Sequence, residues 1–174
     1  MGLQFRNGEE VSDSIGLLIS ILVRYPEVGT INFDPKHNVL KFTFILSHRV
    51  TEDQIEVFSK EFKECVETFS HIADTVLRDN RLICWEHDEV MLIEVYRDVE
   101  SLSQDEIAML ISLLYKHFLG ILVADENDSF FEYDLDYQEE LISNILESIE
   151  MGTELPEGKL IAFRDDGKVM VFNK

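Results

Sequence analysis

One local pattern occurs twice in this sequence and constrains the fold more than any other feature: an extended apolar run followed by a capped amphipathic helix. In the first copy, alternate residues of "VLKFTFIL" form a continuous apolar row, and Thr51 and Gln54 then have the spacing of a capping box. In the second copy, "VMLIEVYR" is followed by Ser103 and Glu106 at the same spacing. Each run has an extended partner before it, "TINF" or "RLICWEH", so the sequence predicts two β-hairpins that each lead into a helix.

The two copies align at a nearly constant distance along the chain. The two apolar runs start 51 residues apart, and the two capping boxes start 52 residues apart. We interpret this match either as an internal duplication of units at about residues 29–73 and 81–122 or as convergence, since every amphipathic ββα unit needs these signals. In both cases a hairpin with one apolar face cannot stand alone, and two packed under their helices bury a shared core.

Further elements lie before and after the two units. A helix with an apolar face precedes Pro26, which ends it. Near the other end of the chain, the segment 137–174 is predicted to form a helix from about Tyr137 to Met151 and a closing hairpin. The turn of that hairpin is Asp166-Gly167, the strongest hairpin signal in the sequence.

The predicted architecture is a single α+β domain over residues 1–174. Its elements follow the order α-ββ-α-ββ-α-α-ββ. Strands joined by tight turns pair in antiparallel fashion, so we expect an antiparallel sheet built from three β-hairpins. The helices are expected to pack mainly on one face of that sheet.

The most unusual bulk property is a net charge of −20, which arises from 15 basic and 35 acidic residues. A field of that sign repels phosphate backbones and anionic lipid, so we expect neither a nucleic-acid nor a membrane partner. It attracts cations and basic proteins instead. The first residues lack the layout of a signal peptide and the two cysteines form no CxxC motif, so we expect a cytoplasmic location.

Recognisable catalytic and cofactor motifs are absent from the sequence. It contains no G-x-S-x-G, no H-E-x-x-H, no P-loop and no G-x-G-x-x-G. The five histidines do not pair at metal-ligand spacing, and the adjacent Ser70 and His71 point in different directions on a predicted helix. The sequence therefore favours a protein that is not an enzyme and that holds no cofactor.

The segment "VADENDSFFEYDLDYQEE", residues 123–140, contains eight acidic and four aromatic residues and no Lys or Arg. It opens like a calcium-binding loop at Asp125, with further oxygen-bearing residues two and four positions later. The resemblance then fails, because Phe130 stands where the loop needs Gly and Asp136 where it needs Glu. A looser Ca²⁺ or Mg²⁺ site, or a small enzyme that uses it, is the alternative prediction. Its candidate ligands are Asp125, Asp128, Asp134 and Asp136.

The same segment is the predicted partner-binding surface. Its aromatic side chains either pack back on the core or stay at the surface, ringed by acids, as an anchor. The candidate residues are Phe130, Phe131, Tyr133, Asp134, Asp136 and Tyr137. We therefore expect a non-enzymatic interaction or regulatory protein that binds a basic protein partner or itself. A structural oligomer in which edge strands pair between copies is a third hypothesis.

Overall fold

The structure is a computed structural model that describes residues 13–125, 132–152 and 158–173. Four helices occur among these residues: α1 (Asp13–Arg24), α2 (Glu52–Ala73), α3 (Gln104–Phe118) and α4 (Glu132–Glu150). The six strands of the same part of the chain are β1 (Thr30–Asp34), β2 (Val39–Leu46), β3 (Asn80–His87), β4 (Val90–Asp98), β5 (Leu160–Asp165) and β6 (Lys168–Asn173). The order α-ββ-α-ββ-α-α-ββ confirms the predicted α+β class.

All six strands form one antiparallel sheet in the order β3-β4-β2-β1-β5-β6. The three predicted hairpins are neighbouring pairs in this sheet. Two further pairings join the hairpins, β2 with β4 and β1 with β5. The first hairpin therefore lies in the middle of the sheet, where each of its strands has a partner on both sides.

The core lies between the helices and one face of the sheet. Alternate residues of β2 are almost completely buried there: Leu40, Phe42, Phe44 and Leu46. Phe58 of α2 packs edge-on against Phe118 of α3, with 5.1 Å between the ring centroids. This edge-to-face arrangement joins the two helices over the sheet.

The hairpins turn through residues in the left-handed region of backbone space. The φ angle is 53° at Asn38, 53° at Asp88, 49° at Asp166 and 74° at Gly167. Asp166 and Gly167 thus have the two consecutive positive φ angles of a two-residue type I′ turn. This turn matches the twist of β5 and β6, so the predicted closing hairpin is confirmed.

The two predicted capping boxes differ in the structure. Thr51 Oγ1 accepts the N–H of Gln54 at 3.2 Å, and Gln54 Oε1 accepts the N–H of Thr51 at 2.9 Å, which completes the first box. Ser103 accepts the N–H of Glu106 at 3.2 Å. The carboxylate of Glu106 does not return to Ser103, so the second box is only half formed and the prediction of a complete one is wrong. A buried arginine takes that carboxylate instead.

Arg97, on the helix side of β4, is 1% exposed and uses all five of its N–H donors. Glu106 of α3 accepts from Nε and Nη2, both at 2.8 Å. Nη1 donates to the Asp79 carbonyl at 2.8 Å and to Asp98 Oδ1 at 2.6 Å, and Nη2 donates to Ser101 Oγ at 3.0 Å. Burial alone would lower the pKa of Arg97, but Glu106 and Asp98 outweigh it and raise that pKa. The guanidinium therefore stays charged inside the fold.

Asp98 extends this cluster to the backbone around it. Its Oδ1 accepts the N–H groups of Arg78 at 3.2 Å and Asp79 at 3.1 Å, and its Oδ2 accepts that of Ser101 at 3.2 Å. Burial alone would raise the pKa of Asp98, but these hydrogen bonds and the Arg97 charge hold it below its usual value. The cluster thereby ties the start of β3 to the end of β4 and to the approach to α3.

The fourth helix starts earlier than the sequence predicted. It begins at Glu132, five residues before Tyr137, so the acidic run enters the helix. Acidic side chains in a first helical turn are stabilised by the positive end of the helix dipole, which explains why this run extends the helix. None of the described helices is both long and apolar enough to cross a membrane.

The two ββα units meet at the pair β2–β4. In this antiparallel pair Thr43 lies opposite Glu94, its counterpart 51 residues further along the chain. A two-fold arrangement of two duplicated units brings equivalent residues together in this way. The duplication of residues 29–73 and 81–122 stays a prediction, since convergent hairpins can pair in the same register.

We expect Glu106→Gln to lower the free energy of unfolding by about 3 kcal/mol, because it leaves the buried guanidinium short of a counter-charge. Asp105→Asn is the matched control, since Asp105 is an exposed acid in the same helical turn. It should cost less than about 1 kcal/mol, the size of a helix-dipole effect. Urea unfolding of the two variants measures the difference. Equal losses would show that the Arg97 cluster does not carry the stability assigned to it.

Candidate functional site

The predicted partner segment is divided between α4 and residues outside the described part of the chain. Asp128, Phe130 and Phe131 lie outside the described residues. Tyr133 lies in the first turn of α4. The hypothesis that these aromatic residues form one docking surface therefore stays a prediction.

Asp134, Asp136 and Tyr137 lie in the first two turns of α4. Asp134 is half-buried, Asp136 is exposed, and Tyr137 is 50% exposed. Residues two apart on a helix point to different sides, so Asp134 and Asp136 do not converge on one cation. Asp136 and the exposed Glu140 are four apart and share one side of α4, next to Tyr137.

Asp125 forms a salt bridge with an arginine of the same chain. Its Oδ2 accepts a hydrogen bond from Nη1 of Arg164 in β5 at 3.2 Å, and its N–H donates to the carbonyl of Pro26 at 3.1 Å. Arg164 is held in place by a further bond from Nη2 to the carbonyl of Tyr25 at 2.9 Å. This fixed positive charge repels a metal ion at Asp125. Within residues 13–125, 132–152 and 158–173 no three His, Cys, Asp or Glu side chains form a metal-site cluster. The cation site stays a prediction.

The side chains that could act as nucleophiles have structural roles. Burial raises the pKa of Cys84 to about 11 and also raises that of Cys65, so both remain thiols at neutral pH. Ser70 donates its hydroxyl hydrogen to the carbonyl of Thr75 at 2.6 Å. This bond closes the end of α2 and directs the hydroxyl away from a role with His71.

The structure shows a surface that the sequence patterns did not identify: the sheet face opposite the helices, here called the open face. It consists of the odd-numbered residues of β2, β3 and β5, the even-numbered residues of β1 and β6, and the even-numbered residues of β4 as far as Tyr96. Asp98, the last residue of β4, belongs to the buried Arg97 cluster. Apart from the buried Val39, the apolar side chains of the open face lie outside the core, whereas their apolar neighbours on the other face belong to the core or pack against it. No helix in the described part of the chain lies over this face.

Cross-strand pairing arranges the open face in rows that run from β6 to β3. One row is Phe172, Ile161, Asn32, Lys41, Tyr96 and Arg81. The next row is Met170, Phe163, Thr30, Thr43, Glu94 and Ile83. Along both rows the side chains are apolar on β5 and β6 and polar in the centre. The first row ends in a cation at the β3 edge.

Large apolar side chains are exposed at both ends of the open face. On β6, Phe172 is 47% and Met170 is 38% exposed, and on β3, Trp85 is 54% exposed. Phe172 stacks on Phe163 of β5, with 5.6 Å between the ring centroids. Exposed apolar groups gathered on one face, unlike single scattered ones, indicate a binding surface.

Glu94 organises the centre of the open face. Its Oε2 accepts from Trp85 Nε1 at 3.0 Å and from the Tyr96 hydroxyl at 2.9 Å, and its Oε1 lies 3.5 Å from Lys41 Nζ. Burial alone would raise the pKa of Glu94, but the hydrogen bonds and the Lys41 charge lower it. The Glu94 carboxylate is therefore paired within the protein before any partner arrives.

Comparisons with protein-family models, with curated proteins and with solved structures each gave no match.

One signal for the open face was present in the sequence. In "VLKFTFIL" the second face carries Val39, Lys41, Thr43 and Ile45, a mixed set that suits a surface strand. In the closing hairpin, by contrast, apolar residues occupy both faces of β5 and β6. Apolar residues on both faces indicate a strand with an additional surface to cover, but not what covers it.

Trp85 is the only tryptophan and reports on the protonation of Glu94. Because the folded-state pKa of Glu94 lies below its usual value of 4.5, the carboxylate stabilises the fold above that pH. This stabilisation is lost as the pH falls through the lowered value. We expect Trp85 fluorescence to change with a midpoint below pH 4.5, and Glu94→Gln to remove that transition. Glu86→Gln, an exposed acid next to Trp85, is the control and should retain it.

The titration needs dilute protein, because the isoelectric point of about 4.4 lies in the same range and proteins are least soluble there. The assignment is wrong if Glu94→Gln titrates like the native chain.

Proposed function

We propose that the protein is a non-enzymatic interaction protein that binds a second copy of itself through the open face. The observation that carries this proposal is the exposure of Trp85, Met170 and Phe172 on the sheet face that no described helix covers. Burying such side chains against a partner is favourable, because it removes their apolar surface from water.

The charge on the open face favours a second copy over a basic partner. Its strand cations and acids are balanced: Lys41, Arg81 and Lys168 against Asp34, Glu94 and Asp165. The whole chain has a net charge of −20, so two copies repel each other across most other surfaces. A basic protein would find no excess of negative charge on this face. Two copies can approach here with the least like-charge repulsion.

The Glu94 carboxylate can be covered by a partner without losing its hydrogen bonds. Glu94 already accepts hydrogen bonds from Trp85 and Tyr96. A buried polar group is costly chiefly when its partner is missing, so this network lowers the cost of closing two faces together. Two sheets packed in this way lie about 10 Å apart.

The size of the face predicts a weak complex. Six strands about 4.8 Å apart and roughly 20 Å long offer roughly 500 Å² per copy. A pair would then bury roughly 1,000 Å² in total, which lies in the range of transient complexes. We therefore expect an association that is visible at high micromolar concentration and lost on dilution.

Phe172→Glu should weaken self-association at least tenfold, because it places a charge where the partner needs an apolar contact. Ile72→Glu is the matched control, since Ile72 is 80% exposed on α2 and lies away from the open face. Sedimentation velocity across concentrations from about 10 to 500 μM compares the two variants with the native chain. The weight-average mass should rise for the native chain and for Ile72→Glu, and stay at that of a monomer for Phe172→Glu.

A native chain that stays monomeric throughout that range would overturn the proposal. If both variants lost self-association, the added negative charge would be the cause wherever it is placed. That result would also count against the open face as the interface.

A second location, the acidic surface of α4, supports the hypothesis of a basic protein partner. This helix contains seven acidic residues, and the chain has no Lys or Arg between Lys116 and Lys159. Tyr137 stands 50% exposed beside Asp136. Electrostatic steering toward this side, followed by an aromatic contact, is the mechanism that we propose for a basic partner.

A Lys-rich peptide tests this second surface by fluorescence anisotropy. The double variant Asp136→Asn/Glu140→Gln should weaken binding several-fold more than Asp53→Asn/Glu56→Gln, which removes the same charge from exposed positions on α2. Binding of the native chain should fall as salt rises. Equal effects of the two double variants would show attraction by net charge alone and would eliminate α4 as a specific surface.

A further inference from the structure

A second feature of the open face is a groove at the end of the sheet where β1 and β2 are joined. Its volume is about 720 Å³, within the usual range of ligand sites. We call it the basic groove, because four of the 15 Lys and Arg residues of the chain line it. Its charged Lys, Arg, Asp and Glu side chains are Lys41, Arg78, Arg81, Lys159, Asp34 and Asp79.

We propose that the basic groove binds a small phosphorylated anion. Its four cations exceed its two carboxylates by two charges, which a phosphate dianion balances. Two of the cations are guanidinium groups, whose paired N–H donors match the spacing of phosphate oxygens. The proposal does not depend on self-association.

Arg81 is the best-placed of these cations. Its guanidinium lies over the ring of Tyr96 at 4.3 Å and donates to Asp79 from Nε at 2.8 Å and from Nη2 at 2.9 Å. The ring and the carboxylate hold the guanidinium in one orientation at the groove wall. Because Asp79 occupies the Nε–Nη2 side, a bound anion would use the Nη1 side of a guanidinium that has already lost much of its conformational freedom.

Two of the other cations, Lys41 and Arg78, have acidic partners outside the groove. Lys41 Nζ lies 3.5 Å from Glu94, and Arg78 pairs at 3.1 Å with Glu100, where both side chains are exposed. An exposed pair such as Arg78–Glu100 contributes little stability, so exchanging Glu100 for a phosphate costs little. Glu94 and Glu100 still reduce the positive field in the groove, which predicts modest affinity.

The net charge of −20 does not prevent this binding. At physiological salt, charges more than about 8 Å away are largely screened, so an anion in the groove responds mainly to the groove walls. The acidic surfaces of α2 and α4 lie on the helix side of the sheet. The distant field still excludes large polyanions such as nucleic acid.

Pyrophosphate and inorganic phosphate are the probes, added at constant ionic strength with chloride as the reference. We expect saturable changes in the amide NMR shifts of residues around Arg81 and Lys159. The double variant Arg81→Gln/Lys159→Gln should weaken binding at least tenfold. Lys60→Gln/Lys63→Gln is the matched control, because it removes the same charge from exposed sites on α2 and should bind like the native chain.

Three results would overturn the site: no saturable change, unchanged binding in the groove variant, or equal loss in both double variants. Lys159→Gln alone gives a second test if the double variant unfolds, since Lys159 is exposed. The titration is repeated in Phe172→Glu, whose altered residue lies roughly 24 Å from Arg81 across five strand spacings. Binding that persists there separates the anion site from the self-association surface.

Discussion

The buried guanidinium of Arg97 is the interaction on which the arrangement of this fold depends. A charge 1% exposed is tolerable only when every donor is satisfied, and Glu106, Asp98, Ser101 and the Asp79 carbonyl do this together. These partners come from the entry to β3, the end of β4 and the first turn of α3, so one cluster fixes three elements. It also explains why the two units differ. The N-terminus of α2 is closed by its own Gln54, whereas α3 gives up the equivalent contact to hold the arginine.

The helix layer and the sheet face differ in charge. Acids dominate the outer sides of α2 and α4, while the open face carries nearly equal numbers of cations and acids. A protein with net charge −20 keeps its copies apart over most of its surface. The open face is the exception, and it is also where Trp85 and Phe172 are exposed. Charge balance and apolar exposure therefore coincide on the open face, whereas an exposed apolar side chain such as Ile72 lies on the acidic helix α2.

Local signals predicted the elements of this fold but not the surfaces that the elements form. The alternation in "VLKFTFIL", the Thr51 capping box and the Asp166-Gly167 turn each involve neighbours in the chain, and each is confirmed. The pairing of β1 with β5 joins residues about 130 positions apart, and no local pattern encodes it. The open face and the basic groove both depend on that pairing. Sequence reasoning therefore placed the candidate site on the acidic run, where the composition is unusual, and that site stays a prediction. It could not identify the open face, which exists only once the strands have paired.

The rows of the open face determine how two copies could meet on it. Phe172 lies at one end of a row and Arg81 at the other. A two-fold axis parallel to the strands brings Arg81 of one copy over the aromatic end of its partner, which pairs a cation with an aromatic ring. An axis across the strands would instead place each strand opposite its own copy, so Arg81 would face the β3 edge of the partner and not its aromatic end. The first arrangement closes each groove against the aromatic cluster of the other copy, so a bound phosphate and a second copy would exclude each other. The same sheet face would then couple anion concentration to self-association, by thermodynamic linkage between two ligands that compete for one surface.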